Sequence, residues 1–588
     1  MRRIAILAAA AVGLAAIAAL AVPSLVSPDQ LRQRIAERIG AASGRAVHIS
    51  GEPNLSIYPH VAISAGGLTI ANAEGMGDDP LASVEAVTAR IRVLPLFLGR
   101  VEFESFTFTR PRIHLVRDAE GSGNWPLLAD RNDKTAIALG RMLVTDGTVV
   151  FDDLATHEHE ELTAVALDLN WGAPSSALKG SGSAEWREEA VEFNGSVSQP
   201  LDLISGQPSP VRFAIASTPL RVSFNGTATL TENARLEGDT SITSSSLRRV
   251  IAWLGTPMGT GSILGPASID GAMSWIGPVI SFDDASVSLD GNEAQGAVAI
   301  SLSGERPAVQ GTFAATKLDI SPYIEAMRAD MSADGPWPFA ATRLPIADAF
   351  DCDLRFSAAE VLAGAVRLGS VAATTTIKDG ALSADIGRAQ AYGGALTARI
   401  AAKMAGDGLV AHVTAEATGV SAHSPLNDLF AVSALSGKAH ATFDLEARGA
   451  TWGAFAHSAA GTIGFDIADG TVAGVDVADL GKRMADPLAE PVPGGEGSTR
   501  FHRLAGTLAV AGSTISSDDV VLEGGDYTVN LSGRGSLLTG SVTGKARLAM
   551  NADDPVPLAI TGTWRAPLFG PDQARVDEDS DMEREPRG

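Results

Sequence analysis

Apolar and polar residues alternate along most of the chain, from about residue 46 to residue 566. The run "LTAVALDLNW" places Val165, Leu167, Leu169 and Trp171 at every second position. Gly, Asn, Asp or Pro residues separate such runs, and a period of two bounded by turn residues is typical of β-strands. The pattern predicts a mainly β protein with short helices. Its strands form an elongated antiparallel sheet, either curled into a groove or divided into stacked units.

One run departs from strict alternation. In "VEFESFTFTRPRIHLVR" the apolar positions are Phe103, Phe106, Phe108, Ile113 and Leu115. The interval of three between Phe103 and Phe106 predicts a β-bulge, which inserts one extra residue and keeps both rings on the same face of the sheet.

The next segment, "PRIHLVRDAEGSGNWPL", is the densest mixture of reactive and structural residue types in the chain. We interpret it as a strand followed by a corner rather than as a catalytic site. Pro111 is expected at an edge or at the start of a strand, because proline cannot donate to the ladder. Residues 118–124 form a Gly-rich turn, and Trp125 folds back onto the apolar face.

Helical spacing appears only in short segments between the strand runs. Residues 27–44 form the first, with Ser27 as N-cap, Leu31, Ile35 and Ile39 as an apolar stripe, and Gly44 as a stop signal. That stripe packs on the protein or lies on a membrane surface, and packing is the simpler expectation. Four further short helices are predicted at 244–255, 318–327, 421–430 and 473–484.

The amino terminus has the composition of a membrane span. Arg2 and Arg3 precede the uncharged run from Ile4 to Val22, which as a helix is roughly 28 Å long, close to one hydrocarbon thickness. The positive-inside rule keeps the two arginines in the cytoplasm and exports the rest of the chain. A cleaved signal peptide is the alternative, because "ALA" at 19–21 suits a signal peptidase.

Charge and cysteine content exclude several classes of function. The formal net charge is −24, so a nucleic-acid backbone would be repelled. The single cysteine, Cys352, permits no intramolecular disulfide and is expected to be a small buried residue.

Candidate reactive groups are sparse. His157 and His159 could share a strand face and bind zinc with a third ligand, but a polar hairpin tip is the better interpretation. The adjacent carboxylates at 151–153 and 281–287 suit turns and strand ends, because neighbours on a strand point to opposite faces. Sequence signatures of hydrolases, P-loop proteins, zinc proteases and dinucleotide-binding enzymes are missing from the sequence. We therefore predict no catalytic residues, no metal site and no cofactor.

A long set of one-sided strands must cover its apolar face with a second sheet or with a ligand. The sequence alone leaves an acyl-chain trough and stacked sandwiches equally open. The predicted segments are an anchor at 1–25, a helix with a β unit at 26–175, middle β repeats at 176–435, a final β region at 436–568 and a disordered acidic tail at 569–588.

Two regions resemble the AsmA family of bacterial envelope proteins. The first is "AASGRAVHISGEPNLSIYPHVAISAGGLTIANAEG", with Gly44, Arg45, Gly51 and Pro59, followed by the stretch that ends in "DAEGSGNW". The second comprises "AAGTIGFDIADGTVAGVDVADLGKRM" and "STRFHRLAGTLAVAGSTISSDDVVLEGGDYTVNLSGRGSL". Together they cover about a third of the chain.

The resemblance implies an inner-membrane protein with a periplasmic β body related to bridge-like lipid transfer proteins. Phospholipids, the inner membrane and outer-membrane assembly proteins are the implied partners. The leading hypothesis is a non-catalytic protein that binds or transfers phospholipid, with Phe103, Phe106, Phe108, Ile113 and Leu115 lining the lipid. A structural assembly factor that carries no lipid is the alternative, and a hydrolase using residues 151–161 is a weaker one.

Overall fold

The computed structural model describes residues 28–572, apart from 57–59, 74–75, 77–78, 94, 96–101, 120–121, 126–139, 155, 232–233, 256–262, 305, 331–341, 343, 345–346, 348–349, 407, 431–432, 487, 496 and 551–554. The predicted anchor at 4–22 and the tail from residue 573 onward lie outside the described residues. Within them the chain is mainly β with short helices, as predicted.

The chain divides into two compact units: residues 1–259 with 264–277, and residues 260–263 with 278–588. The first unit contains β1 (Val47–Ile49), β2 (Asn54–Ser56), β3 (Ala62–Ile70), β4 (Ala82–Ile91), β5 (Phe103–Arg117), β6 (Gly140–Asp153), β7 (Glu158–Trp171), β8 (Leu178–Trp186), β9 (Glu189–Val197), β10 (Ser209–Ala216), β11 (Leu220–Thr229), β12 (Arg235–Ser244) and β13 (Ala267–Ile276). The division falls inside the predicted middle segment, and the segment boundaries stay predictions.

The second unit contains the remaining strands. They are β14 (Val279–Leu289), β15 (Asn292–Ser301), β16 (Ala308–Asp319), β17 (Asp351–Ala363), β18 (Val366–Lys378), β19 (Ala381–Ala391), β20 (Gly394–Ala405), β21 (Gly408–Ser421), β22 (Leu435–Gly449), β23 (Ala460–Ala473), β24 (Val492–Pro493), β25 (Ser498–Ala511), β26 (Thr514–Glu523), β27 (Tyr527–Ser536), β28 (Val542–Met550), β29 (Val556–Thr563) and β30 (Ala566–Pro571). β30 extends into the predicted tail, because Phe569 pairs with both Ile560 and Val492.

Most consecutive strands pair antiparallel, as the short turns between them require. Two pairs differ from the prediction and are parallel: β5 with β6, and β16 with β17. Each follows a long connection, residues 118–139 and 320–350, which is long enough to return the chain to the far end of the strand it has just left.

The helices within the described residues are short. They are α1 (Pro28–Ser43), α2 (Pro200–Ile204), α3 (Leu247–Trp253), α4 (Ser321–Asp330), α5 (His423–Phe430), α6 (Trp452–His457) and α7 (Val477–Met484). The first helix and the four predicted between strands are confirmed, whereas α2 and α6 had too few residues to show a period. Side-chain caps mark several starts. The carboxylate of Asp476, for example, accepts the backbone N–H groups of Ala478 and Asp479, both at 3.0 Å.

Helix α1 packs on the protein, as expected. Ile35 is 1 % exposed and Ile39 is 7 % exposed, and both belong to one buried cluster with Phe106 on β5. Gly44 ends the helix with φ +66° and donates its N–H to the carbonyl of Gly40. Ile35 and Ile39 therefore belong to the core of the first unit.

Strand β5 contains the predicted bulge. Arg90 pairs with Ser105 and Ile91 pairs with Phe103, which leaves Glu104 as the extra residue. The expectation for Pro111 was wrong: it is buried in mid-strand, paired with Val84 on β4. The proline is tolerated there because the β5–β6 ladder is interrupted beside Arg110, whose φ is +46°.

The predicted Gly-rich corner is confirmed, and Asn124 organises it. This side chain is 0 % exposed. Its Oδ1 accepts the N–H of Val116 at 2.9 Å, and its Nδ2 donates to the carbonyl of His114 at 2.9 Å and to Oδ1 of Asn72 at 3.0 Å. The Trp125 ring lies 6.0 Å from that of Phe151, although 40 % of Trp125 stays exposed.

Helix α7 contributes buried residues to the core of the second unit, as α1 does in the first. Its buried residues include Leu480 and Met484, which share a cluster with Leu548 on β28. A Cβ built on Gly481 would lie 2.7 Å from the side chain of Leu548, so a larger residue here would have to displace that leucine. The helix covers the last strands on their apolar side.

Candidate functional site

Strand register assembles an apolar face on the first unit. Two rows of directly paired residues run across β6 to β13, one residue per strand. The first is Val144, Leu167, Gly182, Phe193, Ile215, Val222, Ile242 and Ile269. The second is Met142, Leu169, Gly180, Gly195, Phe213, Phe224, Thr240 and Gly271. The rings of Phe213 and Phe224 stack with centroids 5.1 Å apart.

The second unit carries a longer face of the same kind. One unbroken row crosses β16 to β23 and β25 through successive pairings. Its members are Phe313, Phe356, Ala373, Ile386, Ala398, Ala415, Phe443, Ile463 and Leu508. A neighbouring row contains Leu354, Thr375, Ala384, Ile400, Val413, Leu445, Gly461 and Val510. Because strands lie about 4.8 Å apart, nine successive strands extend over roughly 40 Å.

These faces are only partly covered, although Phe224 and Thr240 in the first unit are buried, at 3 % and 5 % exposed. Every member of the Phe313 row is intermediate in exposure, and Ile400 and Ile215 are 39 % and 38 % exposed. Aliphatic and aromatic residues buried in a protein core are normally almost inaccessible, as Ile63 and Leu68 are here at 0 %. An apolar surface of this extent costs free energy in water and calls for an apolar occupant.

The opposite face is polar and held by cross-strand ion pairs. In the second unit, Asp444 accepts from Nε2 of His412 at 2.7 Å, and Asp466 pairs with Nη2 of Arg503 at 2.7 Å. Arg399 pairs with Asp385 on the neighbouring strand. On each strand these groups lie an odd number of residues away from the members of the apolar rows, so alternation along the strand places them on the other face.

The sequence-predicted lining residues lie on the same face as these rows, at its beginning. Phe106 pairs with Met142 and Phe108 pairs with Val144, so both extend the rows of the first unit onto β5. Helix α1 covers this part: Phe106 is 1 % exposed, and Phe103 and Phe108 pack against its cluster.

Ile113 and Leu115 are half-buried and pair with Val149 and Phe151. Contact between lipid and any of the five predicted residues stays a prediction. Alternation in the sequence could have found the members of the longer rows, but it could not align one strand with the next, and only that alignment joins them into a continuous surface.

The histidine and carboxylate motifs form structural contacts. Residues 154, 156 and 157 lie in a hairpin tip, with His157 at φ +59°, as predicted. The same prediction was wrong for His159, which lies on β7. Asp152 bridges two imidazoles: Oδ1 lies 2.6 Å from Nδ1 of His159, and Oδ2 lies 2.6 Å from Nε2 of His114. The hydrogen bonds from His159 and then His114 lower the pKa of Asp152, and the same bond to Asp152 raises the pKa of His159.

The other carboxylates singled out in the sequence also have structural positions. Asp153 is 4 % exposed and pairs with Nη1 of Arg117 at 3.1 Å, on the other side of the strand from Asp152. The expectation that Asp283 and Asp284 lie in a turn or at a strand end was wrong, because they occupy a bulge within β14 between Phe282 and Ala285. Across the described ranges, no group of three His, Cys, Asp or Glu side chains is arranged to hold a metal ion.

Cys352 is the small buried residue that the sequence predicts. It is 7 % exposed and lies between Val309 and Ile377 in the strand register. Burial raises the pKa of its thiol, so the reactive thiolate is disfavoured.

The resemblance stated from the sequence agrees with a family comparison. The family model described as the AsmA family matches residues 1–199 and 301–519. The chain belongs to the AsmA family. This membership points to an envelope-associated role related to lipid transport, in a family that is generally non-catalytic. No curated protein and no solved structure matches the chain significantly.

The membrane anchor expected at the amino terminus falls on residues outside the described part. Among the helices that the structure does describe, none has both the length and the apolar character that crossing a bilayer requires.

Proposed function

We propose that this AsmA-family protein binds the acyl chains of phospholipids on its partly covered apolar faces. It moves the lipids through the cell envelope without covalent chemistry. The observation that carries the proposal is the Phe313 row, nine paired residues that stay partly accessible on consecutive strands. Acyl chains supply the apolar cover that this surface lacks, and lipid head groups stay hydrated at its rim.

The composition of the Phe313 row favours diffusion of a bound lipid along the row over tight binding at one position. Small residues, Ala373, Ala398 and Ala415, separate the bulky ones. Apolar contact is non-directional, so one position along the row is nearly equivalent to the next. A lipid can therefore move from strand to strand without breaking a specific hydrogen bond.

We further propose that residues 4–22 anchor the chain in the inner membrane, that the β body lies in the periplasm and that its activity supports the outer membrane. These statements rest on the uncharged amino-terminal run and on family membership.

A matched pair of variants tests lipid carriage. Ala373 lies in the apolar row, whereas its neighbour Ala372 is exposed on the polar face. Full-length protein reconstituted in donor vesicles should transfer labelled phospholipid to acceptor vesicles. Ala373→Glu, which places a charge among acyl chains, should abolish transfer, and Ala372→Glu should leave it unchanged.

The outcome separates the two hypotheses. A protein that acts only as an assembly factor would show no transfer in the unsubstituted chain. Equal effects of the two substitutions would also contradict carriage on this face.

A further inference from the structure

Two hairpin turns lie side by side near the carboxyl end of the second unit. The first connects β27 to β28 through residues 537–541, and the second connects β29 to β30 through Trp564 and Arg565. The backbone N–H of Trp564 donates to the carbonyl of Gly540 at 3.2 Å, and Ser541 forms an isolated bridge with Thr563. A Cβ built on Gly540 would meet the indole nitrogen of Trp564 at 3.0 Å, so the ring lies against the first turn.

The two turns present large apolar side chains to solvent. Leu538 is 76 % exposed, Leu537 is 44 % exposed and Trp564 is 40 % exposed. All three lie outside the core cluster that α7 forms with these strands. A hairpin turn ordinarily carries polar residues, so three apolar residues on adjacent turns indicate a contact with something apolar.

The charge around the turns differs from that of the whole chain. Residues 526–572 contain four basic side chains, Arg534, Lys545, Arg547 and Arg565, and four acidic ones, Asp526, Asp553, Asp554 and Asp572, so this segment is neutral in a protein of net charge −24. Lys545 pairs with Asp572. Arg565 directly follows Trp564 in the second turn, and Arg534 lies on β27 three residues before Leu537 of the first turn, so the two turns have one cation in them and one close by.

We propose that these turns form a docking tip for a bilayer that contains anionic phospholipid. Tryptophan prefers the boundary between head groups and acyl chains, and leucines insert just below it. Arginines beside them are attracted to anionic head groups. Three exposed side chains are few for a stable protein interface, whereas shallow insertion together with two cations suffices for reversible membrane contact. The docking tip goes beyond acyl-chain carriage and does not depend on it.

Environment-sensitive labels at two exposed leucines test the proposal. Leu538→Cys places a nitrobenzoxadiazole label on the docking tip. Leu488→Cys is the matched control, because Leu488 is 86 % exposed but flanked by Asp486 and Glu490. The native Cys352 is buried and reacts slowly. Full-length protein is held in nanodiscs, and acceptor vesicles of phosphatidylcholine with phosphatidylglycerol carry brominated lipid.

The label at residue 538 should shift to shorter wavelength on addition of the acceptor vesicles and be quenched by their bromines, whereas the label at residue 488 should not respond. Trp564→Ser should weaken vesicle binding by at least about tenfold. Arg534→Glu with Arg565→Glu, or vesicles of phosphatidylcholine alone, should also weaken it. Two results would overturn the docking tip: no response at residue 538, or equal responses at residues 538 and 488. A fluorescence shift that depends on protein concentration in the absence of acceptor vesicles would also overturn it, and would identify a second copy of the chain as the partner. Lipid transfer along the Phe313 row is measured separately with the Ala373 variant. Lipid carriage and the docking tip can therefore be refuted independently.

Discussion

The rings of Phe313 and Phe356 stack with centroids 5.8 Å apart and an interplanar angle of 21°. They belong to parallel strands β16 and β17, which the long connection through α4 brings together. Their neighbours Thr312 and Arg355 are exposed on the opposite face. The pair shows how the fold concentrates apolar side chains on one side of the sheet while the side remains accessible.

Phe106→Ala should lower the free energy of unfolding by about 3–5 kcal/mol, because it removes a fully buried ring beneath α1 and leaves a cavity. Chemical denaturation followed by circular dichroism measures the change. Glu104→Ala, at the exposed bulge residue two positions away, should stay within about 0.5 kcal/mol. A small effect at Phe106 would mean that α1 does not cover this end of the face.

Asn124→Ala should destabilise the amino-terminal corner by about 1–3 kcal/mol, because it leaves the N–H of Val116 and the carbonyl of His114 without their buried partner. Hydrogen exchange at the Val116 amide should accelerate. The neighbouring Ser122→Ala, which changes an exposed hydroxyl, should leave that rate unchanged. Unaltered exchange in the asparagine variant would refute its role as the organiser of the corner.

The Asp152 cluster should give His159 a pKa above its ordinary value of 6.5. A raised pKa in the folded state means that this contact stabilises the protein fully below the ordinary histidine pKa and is lost as pH rises through the raised value. The lowered pKa of Asp152 adds stability above the ordinary aspartate pKa, which disappears as pH falls through the lowered value.

Titration of the His159 ring protons by nuclear magnetic resonance measures this directly. Asp152→Asn should bring the pKa of His159 down, whereas Asp202→Asn on α2 removes an equal charge elsewhere in the first unit and should not. If the pKa of His159 is the same in the Asp152→Asn variant as in the unsubstituted protein, the contact between Asp152 and His159 is contradicted.

Much of the local structure could be predicted because its signal is local. Period-two alternation identified the strands, the three-residue interval before Phe106 identified the bulge, and apolar residues at helical spacing identified most helices. The corner at Asn124 was predicted as a turn, but its hydrogen bonds join residues far apart in the sequence, and no local pattern contains them. The longest spans 79 positions, from Nη2 of Arg45 to the carbonyl of Asn124.

The sequence predicted that an apolar face exists, but not which residues form its accessible part. Alternation showed that an apolar face exists, yet the row through Phe313 and Phe356 depends on the register of a parallel pair separated by a long connection. A shift of one residue would turn every side chain of a strand to the other face, so register cannot be obtained from the strands taken singly. For the same reason the sequence singled out Phe106, which α1 covers, and missed the accessible row.

Residue-by-residue photo-crosslinking along β16 and β17 in cells tests lipid carriage most directly. Benzoylphenylalanine is placed in turn at 312, 313 and 314 and at 355, 356 and 357 of the full-length protein, and the crosslinked products are identified by mass spectrometry. We predict phospholipid adducts at Phe313 and Phe356 and none at the four flanking positions. Adducts that ignore this alternation, or none at the two phenylalanine positions, would contradict the account.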